Sequence, residues 1–85
     1  MSTYTVFWKQ EAFDALAELW LEVEDRNRLA DAANQVDRLL SRDPARAGMP
    51  LHEGLFSLNI PPLRVIFEIR ESDKSVEVQR VSLLV

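Results

Sequence analysis

Apolar positions recur along this chain with two different periods, and the places where the period changes divide it into elements. Near the start Tyr4, Val6 and Trp8 alternate with Thr5 and Phe7 in a stretch rich in aromatic and β-branched side chains. That predicts a strand over residues 3–8 with both faces partly covered. From Gln10 the spacing changes to three and four, and Ala12, Phe13, Leu16, Leu19, Trp20 and Val23 form a stripe opposite Glu11, Asp14, Glu18 and Glu22. An amphipathic helix is expected here, with first-turn acids that suit its dipole but no good capping residue before Gln10. Asp25-Arg26-Asn27 interrupts the stripe. Asp25 or Asn27 can cap a second helix whose apolar face is Leu29, Ala32, Ala33, Val36, Leu39 and Leu40. Pro44 pushes the residue before it out of the α region and so ends that helix near Arg42. A break this short between two helices predicts an αα-hairpin.

The segment from Pro44 to Gly54 holds Pro44, Gly48, Pro50 and Gly54 without an apolar period and reads as a loop of about ten residues. Alternation returns over Leu55–Ile60, a second strand. Pro61-Pro62 removes two backbone donors, which suits a turn. Leu63–Arg70 and Ser75–Leu83 are then a third and a fourth strand, joined by the turn Glu71-Ser72-Asp73-Lys74. A four-residue turn sets Ile69 opposite Val76 and Phe67 opposite Val78, so that these residues and Val65 build the core face. Arg64, Ile66, Glu68 and Arg70 take the other face. Strict alternation would turn Arg80 inward beside Val65, at the cost of burying a charge, so either its stem snorkels out or, the reading favoured here, a bulge near Gln79 returns it to the polar face. The expected fold is one two-layer α+β domain over residues 1–85. In it an αα-hairpin packs on a four-stranded antiparallel sheet in the order β-α-α-β-β-β, and Leu16, Trp20, Leu29, Val36, Leu40, Val65 and Phe67 are buried.

Composition narrows the chemistry. Eighty-five residues make one small core. With 47% hydrophobic and 28% charged residues the chain is globular rather than disordered. The absence of cysteine excludes disulfides, thiolate nucleophiles and iron–sulfur clusters, and fits a reducing cytoplasm. A single histidine, His52, excludes a His-pair metal site, so no metal or cofactor is expected. No apolar run approaches the roughly 18 residues of a membrane span, and no basic stretch leads into an apolar one at the amino terminus. A soluble, unexported, cytoplasmic protein with no membrane partner is the expectation. Net charge is −4. Residues 1–43 hold nine acids and five bases and residues 44–85 five of each, so contact with a phosphate backbone is expected of the second half, where Arg64, Arg70, Lys74 and Arg80 lie. Arg26, Arg28, Arg38 and Arg42 are expected to pair with Asp25, Asp31 and Asp37 at helical spacing, and Trp8 and Trp20 to anchor the core.

Three stretches carry a resemblance. Tyr4-Thr5-Val6-Phe7-Trp8 with Ala12, Leu16 and Leu19 is the first; Val36-Asp37-Arg38-Leu39-Leu40 with Pro44 and Gly48 is the second. The most specific is Gly54-Leu55-Phe56-Ser57 leading through Leu63-Arg64-Val65-Ile66-Phe67-Glu68-Ile69 to Val76-Glu77-Val78-Gln79-Arg80-Val81. In this order they resemble the RelE/ParE superfamily of toxins from type II toxin–antitoxin systems. The resemblance implies a toxin neutralised by a cognate antitoxin protein. It further implies a ribosome-dependent mRNA interferase, an endoribonuclease acting with ribosome and mRNA; the alternatives are a ParE-like gyrase inhibitor and a catalytically silent protein-interaction module. By that resemblance Arg64 matches the arginine that opens the third strand and holds the scissile phosphate. His52 and Glu53 precede the second strand, where some members place a carboxylate, so that one or the other would have to serve as base, and Arg80 is a second phosphate contact if it reaches the same face. The family's lysine-bearing second-strand positions fall near Leu55 and Ser57, which supply no charge. No tyrosine or basic residue follows Val81 in this sequence. The implied catalytic set is therefore incomplete.

Overall fold

The computed structural model of the chain describes residues 3–84. Its elements run β1 (Thr5–Trp8), α1 (Gln10–Glu22), α2 (Arg26–Arg42), α3 (Pro44–Ala47), β2 (Met49–His52), β3 (Leu55–Ile60), β4 (Leu63–Arg70) and β5 (Ser75–Leu83). The α+β class and the helix pair over a sheet are as expected. Strand number and direction are not: the sheet has five strands in the order β1-β5-β4-β3-β2 and is mixed rather than antiparallel. The parallel pair is β1 with β5, Thr5 opposite Ser75 and Trp8 opposite Val78.

The added strand, β2, lies inside the segment expected to be a loop. Pro44 opens a single helical turn, a position that needs no backbone donor. Glu53 and Gly54 then take consecutive positive φ angles of 47° and 81°. Such a pair of residues turns a hairpin with the twist that flanking strands require, and it brings His52 opposite Leu55. Pro50 is accommodated because β2 is the outer strand of the sheet.

Leu29, Ala32, Val36 and Leu40 of α2 bury themselves against Leu58, Leu63, Val65, Phe67, Val76, Val78 and Val81 of the sheet. Each fully buried leucine, valine or phenylalanine contributes about 1.5–3 kcal/mol. Phe67 stacks on Phe56 with ring centroids 5.5 Å apart. Gly48 backs the same ring so closely that a Cβ there would stand 2.5 Å from Phe67 Cζ. The expected register of β4 with β5 holds, and so does the bulge. Phe67 faces Val78 while Ile66 faces Arg80, which leaves Gln79 as the extra residue and turns Arg80 outward.

Two expectations for the helices fail. Leu16 is only half-buried and Trp20 is 39% exposed. The cause is that α1 lies mainly against β5, and one strand covers a narrower strip than the helix's apolar sector. The expected arginine–aspartate pairs of α2 are also absent among the described residues, and two of the three aspartates are engaged elsewhere. Asp25 caps α2 by accepting the Arg28 N–H at 3.0 Å, and Asp37 accepts from Trp8 Nε1 at 2.8 Å. Arg26 donates from Nε to the Trp20 carbonyl at 2.9 Å. Trp8 is half-buried and anchors β1 to α2 through that indole bond. Among the described residues no helix is long and apolar enough to cross a membrane.

Candidate functional site

Side chains that the pleat turns away from α2 form rows across the sheet. Asn59, Arg64 and Ser82 make one row; Met49, Ser57, Ile66 and Arg80 the next; Leu55, Glu68 and Glu77 a third, with His52 beside Leu55 at the end of β2. Arg64 and Arg80 are therefore diagonal neighbours on adjacent strands, on the order of 7–8 Å apart. Without the bulge at Gln79, Arg80 would sit on the other face.

This face is concave. An open concavity of ≈ 550 Å³ is lined by Arg64 and Arg80 together with Glu11 and Ala15 of α1, Gln79 and Ser82. A second, of ≈ 340 Å³, is lined by His52, Leu51 and Leu55 with Ile66, Gln79 and Arg80. Ile66, Gln79 and Arg80 belong to both, so one groove runs from α1 to the β2–β3 hairpin. Of the residues singled out in the sequence, Arg64, Arg80 and His52 line this groove. Glu53 lines neither part of it; it sits at the hairpin tip, where its positive φ makes the turn. Glu11 lines the groove although the sequence places it only in the acidic stripe of α1, and nothing local distinguishes it from Asp14 or Glu18 there.

Charge on the face is divided. Glu68 and Glu77 stand directly opposite each other, an arrangement that repels unless a cation bridges it. Arg70 is that cation, with Nε 2.9 Å from Glu68 and Nη2 3.5 Å from Glu77. The hydrogen bond to Glu68, then the charges of Glu68 and Glu77, hold the Arg70 guanidinium pKa above its ordinary value. Gln79 Nε2 donates to the same Glu77 carboxylate at 2.6 Å, tying the bulge to this cluster. Arg64 and Arg80, by contrast, enter no ion pair among the described residues. Both are exposed. Two outward guanidiniums without carboxylate partners can take a phosphate, each in a forked pair of charge-assisted hydrogen bonds.

No family model and no curated protein matches the chain. Solved structures do. The structure is similar to that of a chain in the RelBE2 toxin–antitoxin complex from Mycobacterium tuberculosis, with 29% identity and a TM-score of 0.80 over 99% of this chain and 94% of that one. The chain has the fold of the RelE/ParE superfamily. The same fold appears in the YoeB/ParE toxin from Agrobacterium tumefaciens, at 22% identity and a TM-score of 0.71 over 95% and 99% of the two chains. It appears again in the chromosomal ParDE system from P. aeruginosa, at 14% identity and 0.73 over 100% of each. In this RelE/ParE-like fold Arg64, the second residue of β4, opens onto the outward face. Leu55 and Ser57, at the positions where the resemblance implies lysines, lie on that face too and leave the groove's cations to Arg64 and Arg80.

Proposed function

We propose that this RelE/ParE protein is the toxin of a type II toxin–antitoxin pair, a cytoplasmic protein that cleaves mRNA on the ribosome and is neutralised by a cognate antitoxin. The observation that carries the reading is the Gln79 bulge, which brings Arg80 beside Arg64 in a groove that also reaches His52. Cleavage proceeds by attack of a ribose 2′-oxygen on the neighbouring phosphorus. The P–O5′ bond breaks, leaving a 2′,3′-cyclic phosphate and a 5′-hydroxyl. His52 takes the 2′-hydroxyl proton, Arg64 and Arg80 hold the phosphate oxygens as charge builds on them, and water in the open groove protonates the departing 5′-oxygen. Glu53, at the hairpin tip, is given no role in this scheme.

Loss of one acid–base group typically costs about 10²–10⁴ in rate, and loss of one anion-stabilising contact about 10²–10³. Purified protein incubated with translating ribosomes and mRNA, with cleavage mapped by primer extension, tests the assignment. Arg64→Ala lowers cleavage by about 10²-fold or more. His52→Ala lowers it less in an open site where water also accepts protons. Codon-position cleavage unaffected by Arg64→Ala refutes the role given to Arg64. A parallel arm measures supercoiling by gyrase, and gyrase inhibition without mRNA cleavage replaces this reading with the ParE-like one.

A further inference from the structure

The bulge that turns Arg80 outward also bears on the residue before it. Val78 and Val81 both face the core, so Gln79 and Arg80 are consecutive side chains on the outward face. Gln79 lines both parts of the groove. Its amide cannot present either end at will. Nε2 donates to the Glu77 carboxylate at 2.6 Å, and a carboxylate only accepts. The amino end of Gln79 is therefore committed to Glu77, and the carbonyl oxygen is the end left to the groove. Arg70, with Nη2 3.5 Å from the same Glu77 oxygen, helps to keep that carboxylate in place. The part of the groove nearer the hairpin is otherwise mostly apolar. Leu55 and Ile66, both half-buried, line it from the sheet, Leu51 and His52 line it from β2, and Arg80 stands between it and Arg64. An apolar concavity with one oriented acceptor is the make-up of a site that binds a flat ring and discriminates at a single polar position.

We propose that this part of the groove takes the nucleobase next to the phosphate held by Arg64 and Arg80, and that Gln79 selects a base with an amino group on its pairing edge. Cytosine, adenine and guanine carry that group; uracil does not. The ring covers Leu55 and Ile66, and its amino N–H donates to Gln79 Oε1. Uracil offers a single N–H between two carbonyl oxygens. Either oxygen turned towards Oε1 sets acceptor against acceptor and leaves both without a donor. Glu77 touches no base in this arrangement. It is a positioning residue, because its carboxylate decides which end of the Gln79 amide meets the ligand. The inference deepens the mRNA-cleavage reading and rests on it only in taking RNA as the source of the base.

The 3′-monophosphates of cytidine, uridine, adenosine and purine riboside each carry one phosphate and one base and hold no bond to cleave. They are titrated against the isotope-labelled full chain, and binding is followed by amide NMR, the Gln79 side-chain amide included. The cytidine nucleotide binds about three- to tenfold more tightly than the uridine one, the worth of one net hydrogen bond in an open site. Adenosine exceeds purine riboside, which lacks only the amino group, by the same factor. Gln79→Met removes the acceptor and brings both ratios to about one. Glu77→Gln puts an amide beside Gln79 that can donate or accept, frees Gln79 to present either end, and narrows both ratios. Arg64→Ala weakens all four nucleotides alike and leaves the ratios standing. Circular dichroism shows that each variant read is folded. Equal binding within either pair overturns the proposal. So does binding of none of the four nucleotides, and so do ratios that survive Gln79→Met; ratios that survive Glu77→Gln overturn the role given to Glu77. The titration uses neither ribosomes nor gyrase and reads no cleavage, so its failure and the failure of the toxin reading are separate results.

Discussion

Replacing Gly48 with alanine tests how tightly the β2 hairpin is seated on the core. The backbone at Gly48 is extended, with φ −104° and ψ 168°, so alanine fits the conformation and by itself favours the folded state by about 0.4–1 kcal/mol through the unfolded chain. The space is the obstacle. The new methyl would lie 2.5 Å from Phe67 Cζ, 2.9 Å from Cε1 and 3.1 Å from the Ser57 carbonyl oxygen. Comfortable carbon contacts are about 3.5–4.0 Å, so something must move by roughly 1 Å. Phe67 has nowhere to go, being fully buried and stacked on Phe56, and the Ser57 carbonyl belongs to the sheet backbone. Overpacking of this kind costs about 1–3 kcal/mol. Set against the backbone gain, the middle of these ranges leaves a net loss of about 1.3 kcal/mol, which for a domain this size lowers Tm by roughly 5–10 °C. Thermal unfolding followed by far-ultraviolet circular dichroism measures it. Phe67→Leu removes the ring atoms that the methyl would strike. In the double variant the two losses should therefore fall short of additivity by about 0.5–3 kcal/mol. A Gly48→Ala protein as stable as the parent, or losses that simply add, would show that the Phe67 ring yields freely and that β2 is not clamped by it.

Two further substitutions probe other joints. Asp25→Ala removes the carboxylate that accepts the Arg28 N–H, and it should lower stability by about 0.5–2 kcal/mol in urea unfolding, whereas Asp25→Ser should recover most of the loss. Arg70→Met leaves Glu68 and Glu77 facing each other without their cation and should lower Tm at neutral pH. The raised pKa of Arg70 keeps its charge constant across the working range, so the parent shows no titration of this group there. The gap between parent and variant should therefore narrow as added salt screens the charges; a gap independent of salt would mean that lost packing, not charge, is responsible.

What could be read in the sequence was what neighbouring residues decide. Both helices were marked by their three-and-four spacing, and the α2 cap was readable at Asp25. The β4–β5 register followed from a four-residue turn between two alternating runs, and the bulge from the cost of turning Arg80 inward. What escaped depends on residues far apart or on very short signals. Nothing in Thr5–Trp8 says that its partner is β5, or that the pair is parallel. β2 is four residues long with a proline inside, and its turn is marked only by Glu53-Gly54, a weaker hairpin signal than Asn-Gly. The burial expected of Trp20 failed because periodicity gives the direction of an apolar face but not the width of what covers it. Glu11 entered the groove for a reason only the folded chain contains, the placement of the first turn of α1 beside β5.

The pairing of β1 with β5 also bears on how a cell can make this protein. Thr5 waits for Ser75, about 70 residues later, and at typical synthesis rates of 5–20 residues per second that wait lasts roughly 4–14 s. During it Val6 and Trp8 have no strand to lie against, and Arg64 stands without Arg80. A nascent chain is thus an unfinished one in both senses: its sheet is open and its groove holds half its cations. Until β5 has emerged, the growing polypeptide cannot assemble that groove on the ribosome that is making it.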